Sequence, residues 1–387
     1  MDEINLGPDS TLTEWEWLGL HRDFNLADGH AHHSLGPEER GHAIGCVSSL
    51  VAAEAEDLQS DLEDRFLTSF FRLSNQKRPD LPPFFHYSSS VSIDLTAKLL
   101  WALGVRRIGL LTPTFDNIPL LLRRAGFDVV PLEEEKIWSD SGYRASQARS
   151  LEALFLVCPN NPTGHIVGRE IMLEILTFAA QSKIILVIDF SFRFYSDLHV
   201  WDQYAALSEV EGLRYILLED SGKTWPISEL KVGIACPSPN LHQAMAEIGN
   251  ELLLNVSPFV LRLLTGLLDV ELASAAEHNG KRLRVLSVVA ENRALLRRAL
   301  AGTDLEVVAP NSTISVEWLR LPKPVAVELA RSLASGGVSV LPGGPFYWDD
   351  RRRGDSYIRV ALARSPVYFR AAVSKLIPLA LSSLNDL

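Results

Sequence analysis

From about Phe84 onward, the sequence alternates short apolar runs with longer amphipathic segments. The apolar runs are RIGLLTP, FDVVPLE, LEALFLVCP, KIILVIDF and LRYILLED, and two of the segments between them are DNIPLLLRRAG and GREIMLEILTFAA. Such runs are typical of parallel strands that are covered by helices on both faces. The pattern therefore predicts an α/β fold with a doubly wound, mainly parallel sheet. In such a sheet, functional side chains lie beyond the carboxyl ends of the strands.

The pattern changes on either side of this region, which indicates three parts in the chain. Residues 46–270 are predicted to form a large domain. Residues 271–387, where strand-like TISVEWLRL and SYIRVALARS flank helical PVAVELARSLASGG, are predicted to form a smaller α+β domain. Residues 1–45 are rich in Trp, His, Gly and acidic side chains and match neither pattern. We predict that they form an arm that closes over the active site and whose order depends on ligand.

Composition argues against several classes of partner. The chain of 387 residues has 37 Lys and Arg against 48 Asp and Glu, so its net charge of -11 disfavours nucleic acid and acidic membranes. The three cysteines form no C-x-x-C pair, which favours a reducing, cytoplasmic setting. The acidic, polar start MDEINLGPDS does not have the features of an export signal. The apolar stretch 252–270 contains Asn, Pro, Arg and Asp, so we predict a buried or subunit-interface helix and no membrane span.

Polar and aromatic residues follow the first two predicted strands. Ser88, Ser89 and Ser90 stand between FFHY and a helical segment, where free N–H groups and hydroxyls suit a phosphate. An ordinary serine helix cap explains this triplet equally well when it is taken alone. The next strand ends in TPTFDN, which brings Phe115 to the same edge, with core packing as its default explanation.

The later strands end in a turn, a carboxylate and a lysine. CPNNPTG is a turn signal in its own right, and Asp189 follows KIILVI, where a buried charge requires a cation. Lys223 follows YILLED, although a lone lysine after a strand is usually a solvated surface residue. A phosphate seat, a stacking ring, an Asn-Pro turn, a buried carboxylate and a lysine on successive strand ends would together suit pyridoxal 5′-phosphate (PLP).

The motif order SSS, PTFDN, NNPTG, DFSF, SGK and YIRVALARS resembles the aminotransferase class I/II family of PLP enzymes with fold type I. The resemblance implies a mainly parallel sheet of the seven-stranded type with helices on both faces. It also implies that Lys223 condenses with the cofactor aldehyde, that Asp189 pairs with the ring nitrogen, and that Arg359 binds a substrate α-carboxylate. The other cofactor residues that it implies are Asn161 near the phenolic oxygen, Phe115 on the ring, and Ser88, Ser89, Ser90, Ser221 and Lys231 around the phosphate.

Two positions depart from the family pattern. The family usually has a tyrosine three residues after the aspartate, which hydrogen-bonds the phenolic oxygen, and this chain has Phe192 there. Ser191 is the candidate to take over that contact. Lys231 stands where the family has a phosphate-binding arginine, so that a point charge replaces a planar fork. We expect the cofactor-binding site to be retained, with altered electronic properties of the bound cofactor.

The arm motif LTEWEWLGLHRDFNLADGHAHHSLGP, with YSSSVSID, EDSGKTWP and NVSPFVL, resembles a small group of bacterial PLP-dependent L-arginine oxidases and hydroxylases. This resemblance covers most of the chain. It implies oxidation of L-arginine with dioxygen to 4-hydroxy-2-ketoarginine, 2-ketoarginine or both, with release of ammonia and without a metal or a flavin. It also implies a homodimer, because fold-type I sites in the family are assembled at a dimer interface.

The same resemblance implies the substrate residues. L-arginine carries a carboxylate and a guanidinium, so Arg359 requires acidic groups across the site. The residues that match the guanidinium site of the group are Thr13, Glu16, Asp28 and Asp220. Lys223 is expected to remove the α-proton, and His30 is expected to activate or position water at C4.

The histidine motif GHAHHS has two other interpretations. A metal bound by His32, His33 and Asp28 is the weaker one, because consecutive histidines do not have the helical spacing of H-E-x-x-H and the neighbouring glycines indicate a loop. Exposed histidines without a role are the simpler interpretation of His32 and His33. We therefore predict no metal site.

Three other functions stay open on the sequence. An ordinary aminotransferase would share Lys223, Asp189 and Arg359 with the oxidase, and a PLP-dependent cyclase of a hydroxyarginine would share the fold. Oxygen uptake with ammonia release from L-arginine alone would distinguish the oxidase from both. A PLP-binding regulator would require a DNA-contacting module, and no basic helix-turn-helix segment is recognisable in the sequence.

Overall fold

The N-terminal part of the chain is packed onto the body of the protein. In this computed structural model, the described residues are 6–51, 57–196, 201–227, 229–277 and 283–387. The first elements are α1 (Leu12–Gly19), β1 (Phe24–Asn25), α2 (Pro37–Val51) and α3 (Gln59–Leu73). A capping box begins α1, because Thr11 and Glu14 each accept a hydrogen bond from the backbone N–H of the other. Leu12 and Trp15 of this helix are fully buried.

The predicted apolar runs form one sheet of seven strands. The strands are β2 (Phe84–His86), β3 (Arg107–Thr112), β4 (Asp128–Glu133), β5 (Ala153–Val157), β6 (Ile185–Asp189), β7 (Tyr215–Asp220) and β8 (Gly233–Pro237). Their order is β2-β8-β7-β6-β5-β3-β4. All neighbours are parallel except β8, which is antiparallel to β2 and β7. This sheet confirms the predicted α/β class.

Helices cover both faces of the sheet. The helices of this part of the chain are α4 (Ser89–Ala102), α5 (Asn117–Arg124), α6 (Glu134–Ser139), α7 (Ser141–Ala148), α8 (Arg169–Gln181), α9 (Gln203–Glu209), α10 (Pro239–Leu252) and α11 (Pro258–Glu277). In β5, Leu154 and Leu156 belong to one hydrophobic core, whereas Phe155 and Val157 belong to a second core on the opposite face. Burial on both faces explains why this strand reads as a continuous apolar run.

The C-terminal part forms a small antiparallel sheet with helices. Its elements are α12 (Arg284–Leu300), β9 (Glu306–Val307), β10 (Val316–Arg320), α13 (Ala326–Ser335), β11 (Val338–Ser339), β12 (Leu341–Pro342), β13 (Tyr357–Ala361) and α14 (Pro366–Asp386). The sheet order is β12-β13-β10-β9. Strand β1 of the arm pairs in parallel with β11, so the arm joins this part of the protein.

Several predicted limits fall inside helices. Residue 45 lies in α2 and residue 270 lies in α11, and a continuous helix is a single rigid element. We therefore propose that the limits of the arm and the large domain lie at helix ends. The stretch 252–270 is also not one helix, since α10 ends at Leu252, α11 begins at Pro258, and Leu254 between them is 91% exposed. A proline at the first position of a helix accounts for the new start.

One described helix, α14, is long and apolar enough to span a membrane by length and composition. It contacts α12 and α13, and its Phe369 and Leu376 are buried in the main hydrophobic core. We therefore assign α14 to the packed core of the small domain.

Candidate active site

A cavity of about 180 Å³ lies beyond the carboxyl ends of the central strands. It brings together most of the side chains that the sequence singled out. These are Thr13, Glu16, His30, Ser88, Ser89, Ser90, Phe115, Asn161, Asp189, Ser191, Asp220, Lys223, Lys231 and Arg359. Asp28 and Ser221 lie behind this lining. The position agrees with the rule that ligands bind at the carboxyl edge of a doubly wound sheet.

Asp189 is the last residue of β6, and its carboxylate is buried at the cavity wall. Burial raises the pKa of Asp189 to about 6, although hydrogen bonds from Ser191 oppose that shift. The backbone N–H and the hydroxyl of Ser191 both donate to Asp189 Oδ1, at 2.8 and 2.5 Å. The hydroxyl of Ser191 thus contacts Asp189, and its contact with the phenolic oxygen of the cofactor stays a prediction. Phe192 lines the cavity as an apolar side chain.

Lys223 follows β7 and faces the arm across the cavity. Its Nζ lies 3.5 Å from His30 Nε2, and Lys231 Nζ lies 3.2 Å from the same atom. The Tyr195 hydroxyl donates to the carbonyl of Lys223 at 2.6 Å, which fixes the backbone from which the amine projects. Two cations therefore meet one imidazole in the middle of the site.

Asp28 determines which nitrogen of His30 carries a proton. Asp28 Oδ1 is 2.6 Å from His30 Nδ1, and Asp28 Oδ2 is 2.6 Å from His32 Nε2. An ionised carboxylate can only accept, so Nδ1 of His30 donates and Nε2 offers its lone pair to the lysines. The charge of Lys223, together with burial, lowers the pKa of His30. Burial alone would raise the pKa of Asp28, but the two imidazole bonds hold it well below its usual range.

Asp28 was predicted as a guanidinium ligand. Its carboxylate supports two imidazoles and does not line the cavity, and the guanidinium contact stays a prediction. His33 is buried, so the exposed interpretation holds only for His32. Among the described residues, no group of three or more His, Cys, Asp and Glu side chains is arranged to hold a metal ion.

The serine triplet begins a helix and also lines the cavity. Ser88 is the N-cap of α4, and its hydroxyl accepts from the N–H of Val91 at 3.3 Å. All three serines nevertheless line the cavity at the positive end of the helix. Ser90 Oγ accepts from the side chain of Asn117 at 3.2 Å, a cavity residue that the sequence reasoning missed although it ends the motif TPTFDN.

Charged side chains surround this helix end. Asp220 Oδ2 accepts from the N–H of Ser89 at 3.2 Å, so a carboxylate that was predicted on the guanidinium side lies at the start of α4. Lys231 Nζ pairs with Glu229 at 2.7 Å and lines the same region of the cavity. The Ser221 hydroxyl bonds to the backbone of Val232 in both directions, at 2.8 and 3.1 Å, and so ties β7 to the segment before β8.

Arg359 of β13 is fully buried, with an exposed fraction of 0%. Its Nη1 donates to Asn161 Oδ1 at 3.2 Å, and its Nη2 donates to Glu16 Oε1 at 3.3 Å and to the carbonyl of Ala27. Its Nε has no hydrogen-bond partner among the described residues. Burial raises the pKa of Glu16, and the charge of Arg359 opposes that shift.

Two residues that the sequence reasoning missed hold the arm in place. Arg364 donates to the carbonyls of Asn25, His30 and Asp28, at 2.8, 2.9 and 2.5 Å. Asp116 Oδ2 accepts from the N–H of Leu12 at 2.8 Å, at the start of α1. Both residues stand in motifs that had been quoted, YIRVALARS and PTFDN, but only their neighbours in those motifs had been assigned roles.

The side chains of the cavity fit PLP. The start of α4 offers hydroxyls and N–H groups beside Lys231, which suits a phosphate. A Cβ on Gly233 would lie 2.5 Å from the carbonyl carbon of Ser88, so glycine allows β8 to approach this helix end closely. The buried carboxylate of Asp189 suits a protonated ring nitrogen, and Lys223 supplies a primary amine to the same cavity.

Solved structures resemble this fold over most of the chain. The structure of MppP soaked with the product 2-ketoarginine is 31% identical, with a TM-score of 0.83, and the match covers 91% of this chain and 98% of that one. Aspartate aminotransferase from Thermus thermophilus with maleate has a TM-score of 0.77 at 18% identity, covering 96% of each chain, which speaks for the fold alone.

Curated relatives are more distant. The aspartate/prephenate aminotransferase of Thermus thermophilus is 24% identical over 273 residues, 68% of this chain and 67% of that enzyme. A probable aspartate/prephenate aminotransferase of Thermus aquaticus is 27% identical over 249 residues, 61% of each. The matches thus span about two thirds of these relatives or less. The family model for aminotransferase class I and II matches residues 85–376. The chain therefore belongs to the aminotransferase class I and II family, with fold type I, and this membership implies PLP as its cofactor.

Proposed function

We propose that the chain is a PLP-dependent enzyme that oxidises L-arginine with dioxygen to 2-ketoarginine, 4-hydroxy-2-ketoarginine or both, with release of ammonia. The observation that carries the proposal is the pairing of charges in the cavity, where the buried fork of Arg359 faces an acidic side chain of the arm, Glu16. A substrate with a carboxylate and a cationic end complements both groups. The likeness to MppP, whose structure was soaked with the product 2-ketoarginine, supports the same substrate class.

The substrate would be held at both ends. Arg359 has three nitrogens in one plane, and its Nε, which has no partner among the described residues, would donate to a substrate carboxylate. Glu16, Thr13 and Asp220 line the cavity and would surround the guanidinium. Asp28 would affect the guanidinium only indirectly, through its hydrogen bonds to His30 and His32 of the arm. Two fixed ends orient the bond from the α-carbon to its hydrogen toward Lys223.

The reaction requires two proton-handling groups, and the cavity has two. PLP, held by Lys223, Asp189 and the residues of the phosphate seat, would supply a sink for the electrons of the α-carbon. Lys223 Nζ takes the α-proton as general base. His30 offers the lone pair of Nε2 to the cavity, and the charge of Lys223, together with burial, lowers the pKa of His30, which favours the neutral ring. It can therefore hold a water molecule and accept a proton from it as oxygen is added at C4.

The stoichiometry of the two products differs. Formation of 2-ketoarginine removes two electrons: L-arginine, O₂ and H₂O give 2-ketoarginine, NH₃ and H₂O₂. The hydroxylated product requires removal of four electrons: L-arginine, two O₂ and two H₂O give 4-hydroxy-2-ketoarginine, NH₃ and two H₂O₂. The second water supplies the hydroxyl oxygen, which fits a cavity that contains a neutral imidazole.

The test is to incubate the holoenzyme with L-arginine alone, under air and under argon, and to identify the products by mass. The proposal predicts oxygen uptake, ammonia and keto acid under air, and none of these beyond one turnover under argon. Lys223→Ala is the control without the essential amine. Absence of oxygen uptake in the wild type under air would refute the proposal.

An ordinary aminotransferase is the second candidate. It is favoured by the names of the curated relatives, which are aminotransferases. This function would share Lys223, Asp189 and Arg359. Amino-group transfer that requires an added keto acid and proceeds under argon would identify it.

We further propose a cytoplasmic homodimer. The cysteines Cys46, Cys158 and Cys236 are all free thiols, which suits a reducing compartment. On α2, the apolar side chains of Ile44, Val47 and Leu50 are at least half exposed, so this helix presents a face that a second copy could cover. A sedimentation measurement that gives the mass of one chain for the holoenzyme would contradict the dimer.

A further inference from the structure

The fork of Arg359 is engaged by an acid of the protein itself. Glu16 Oε1 accepts from Arg359 Nη2 at 3.3 Å, and the pair lies at the cavity wall with exposed side-chain fractions of 21% and 0%. Arg359 Nε has no partner among the described residues. The hydrogen-bonding capacity of the guanidinium is therefore only partly used by the described residues.

Each member of this pair depends on the other. Burial raises the pKa of Glu16 and lowers the pKa of Arg359, and each charge opposes the shift of its partner. Asp28 adds a second negative charge near both groups. When one member of a buried ion pair is lost or neutralised by another ligand, the remaining charge is left uncompensated, which is strongly unfavourable.

We propose that Glu16 is a specificity-determining residue that exchanges partners when the substrate binds. In the ligand-free site Glu16 occupies Arg359 in the manner of a substrate carboxylate. The α-carboxylate of the substrate then displaces it, and Glu16 turns to the cationic end of the same molecule. This inference rests on the proposed function, because it assigns the α-carboxylate to Arg359.

The exchange explains how one site can reject neutral amino acids. Any amino acid offers a carboxylate that could displace Glu16 from Arg359. The charges near Glu16 other than Arg359 are those of Asp28 and Lys223. In the holoenzyme the amine of Lys223 is committed to the cofactor, so a substrate with a cationic side chain offers Glu16 a new partner. A neutral side chain would leave the carboxylate of Glu16 without a counter-charge near that of Asp28. Binding of a neutral amino acid is then disfavoured by the unpaired charge of Glu16, and binding of a cationic one is favoured by its contact with Glu16. Both effects contribute to the specificity.

The test uses two carboxylic acids without an α-amine, 5-guanidinopentanoate and pentanoate, so that binding is measured without turnover. Their dissociation constants for the holoenzyme would be measured by isothermal titration calorimetry. The variant is Glu16→Gln, which keeps the shape of the side chain and removes its charge. The matched control is Glu14→Gln on the same helix, because Glu14 is exposed and glutamine also serves in a capping box.

The expected changes have opposite signs. Glu16→Gln should bind pentanoate about tenfold more tightly, because an internal competitor for Arg359 is weakened, and 5-guanidinopentanoate at least about tenfold more weakly. A general loss of structure would weaken both ligands. Unchanged or weaker binding of pentanoate by Glu16→Gln would overturn the exchange.

The two proposals fail in different ways. If the wild type binds pentanoate as well as 5-guanidinopentanoate, the preference for arginine is refuted, whatever Glu16→Gln does. The pentanoate measurement still tests the exchange in that case, because it reports only on the competition for Arg359. Glu14→Gln should match the wild type within about twofold for both ligands.

Discussion

The two walls of the cavity are built in different ways. The sheet wall carries Asp189 and Lys223 at the ends of β6 and β7, strands that lie between two hydrophobic cores. The arm wall carries Glu16 and His30, and it combines buried apolar side chains of α1 with hydrogen bonds from side chains of the body, such as those of Arg364, to arm carbonyls. Apolar burial positions the first wall, whereas the second adds directed polar contacts to its apolar burial.

The difference separates cofactor chemistry from specificity. The family model matches residues 85–376, so it includes the sheet wall and leaves out the arm. Residues that suit PLP thus lie where the chain is like its relatives. The arm residues that we assign to the substrate lie outside the matched region. Changes in the sheet wall should therefore abolish all chemistry, and changes in the arm should alter which substrate or product is favoured.

Lys223→Ala should have the largest effect. Removal of the amine takes away both the covalent anchor of the cofactor and the proposed general base, so oxygen uptake with L-arginine should fall by at least about 10³-fold. Lys98→Ala is a matched control, because Lys98 is a half-exposed lysine of α4 that pairs with Asp94 in the preceding turn. Oxygen electrode rates and the visible absorbance of the cofactor would be measured. Residual uptake within tenfold of the wild type would remove Lys223 from the mechanism.

Asp189→Asn should change the pH dependence of stability in the cofactor-free protein. The folded pKa of Asp189 is about 6, above the ordinary value of 3.8, so the folded state binds more protons than the unfolded state between these values. The free energy of unfolding therefore falls as the pH rises through this window. At pH 8 the variant should be more stable than the wild type by about 2–3 kcal/mol, since about 1.4 kcal/mol corresponds to one pKa unit.

Urea unfolding of both cofactor-free proteins at pH 5 and pH 8 would check this effect. The advantage of the variant should be smaller at pH 5, where the wild-type carboxyl is largely protonated. Asparagine keeps an acceptor for the Ser191 N–H, so the local turn is retained. The variant should also lose cofactor more readily on dialysis, because the ring nitrogen has no anionic partner. Parallel stability curves for the two proteins would contradict the assignment.

Asp28→Asn should alter the product more than the rate of oxidation. The variant removes the charge that supports His30, so the ratio of hydroxylated to simple keto acid should fall about tenfold or more, as it should for His30→Gln. The double variant should be no worse than His30→Gln alone. His32→Gln is the control, because His32 shares the Asp28 carboxylate but is exposed and does not line the cavity. A raised KM for L-arginine with an unchanged product ratio would instead support Asp28 as the guanidinium ligand.

The sheet wall was predictable because apolar runs define where strands end. Asp189 and Lys223 come directly after such runs, and parallel topology brings the strand ends to one edge. The antiparallel direction of β8 could not be read in the same way. The run LKVGIACP is apolar whichever way the strand points, and its direction depends on pairing with β2 and β7.

The contacts of the aspartate side chains were less predictable, because these carboxylates accept hydrogen bonds from backbone groups close to them in sequence. Asp28, Asp189 and Asp220 each accept from the backbone N–H two residues later. Side chains of this type compete for nearby backbone groups, which directs the carboxylate toward its own loop. That preference explains why Asp28 supports His30 and why Ser191 contacts Asp189. The arm anchors Arg364 and Asp116 depend on pairing between residues far apart in sequence, for which a single sequence gives no spacing signal.

Asp116→Ala should have the smallest effect, and it tests whether the arm wall is held by polar contacts. Asp116 Oδ2 accepts from the N–H of Leu12, and the substitution leaves that group at the start of α1 without its partner. A lost hydrogen bond of this kind costs on the order of 1 kcal/mol, so docking of the arm should weaken about fivefold. If the arm must dock to bind substrate, KM for L-arginine should rise by about that factor while kcat and the cofactor spectrum stay unchanged.

Limited proteolysis of residues 1–40 gives an independent measure of the same docking. Asp116→Ala should be cut faster than the wild type without substrate, and saturating L-arginine should reduce the difference, because ligand binding stabilises the docked arm. Asp116→Asn is the matched control, since asparagine retains an acceptor for the Leu12 N–H and should recover most of the protection. Equal cutting of all three proteins, with and without L-arginine, would mean that burial of Leu12 and Trp15 alone holds the arm. The two walls would then be built by the same apolar packing, and the contrast between them would disappear.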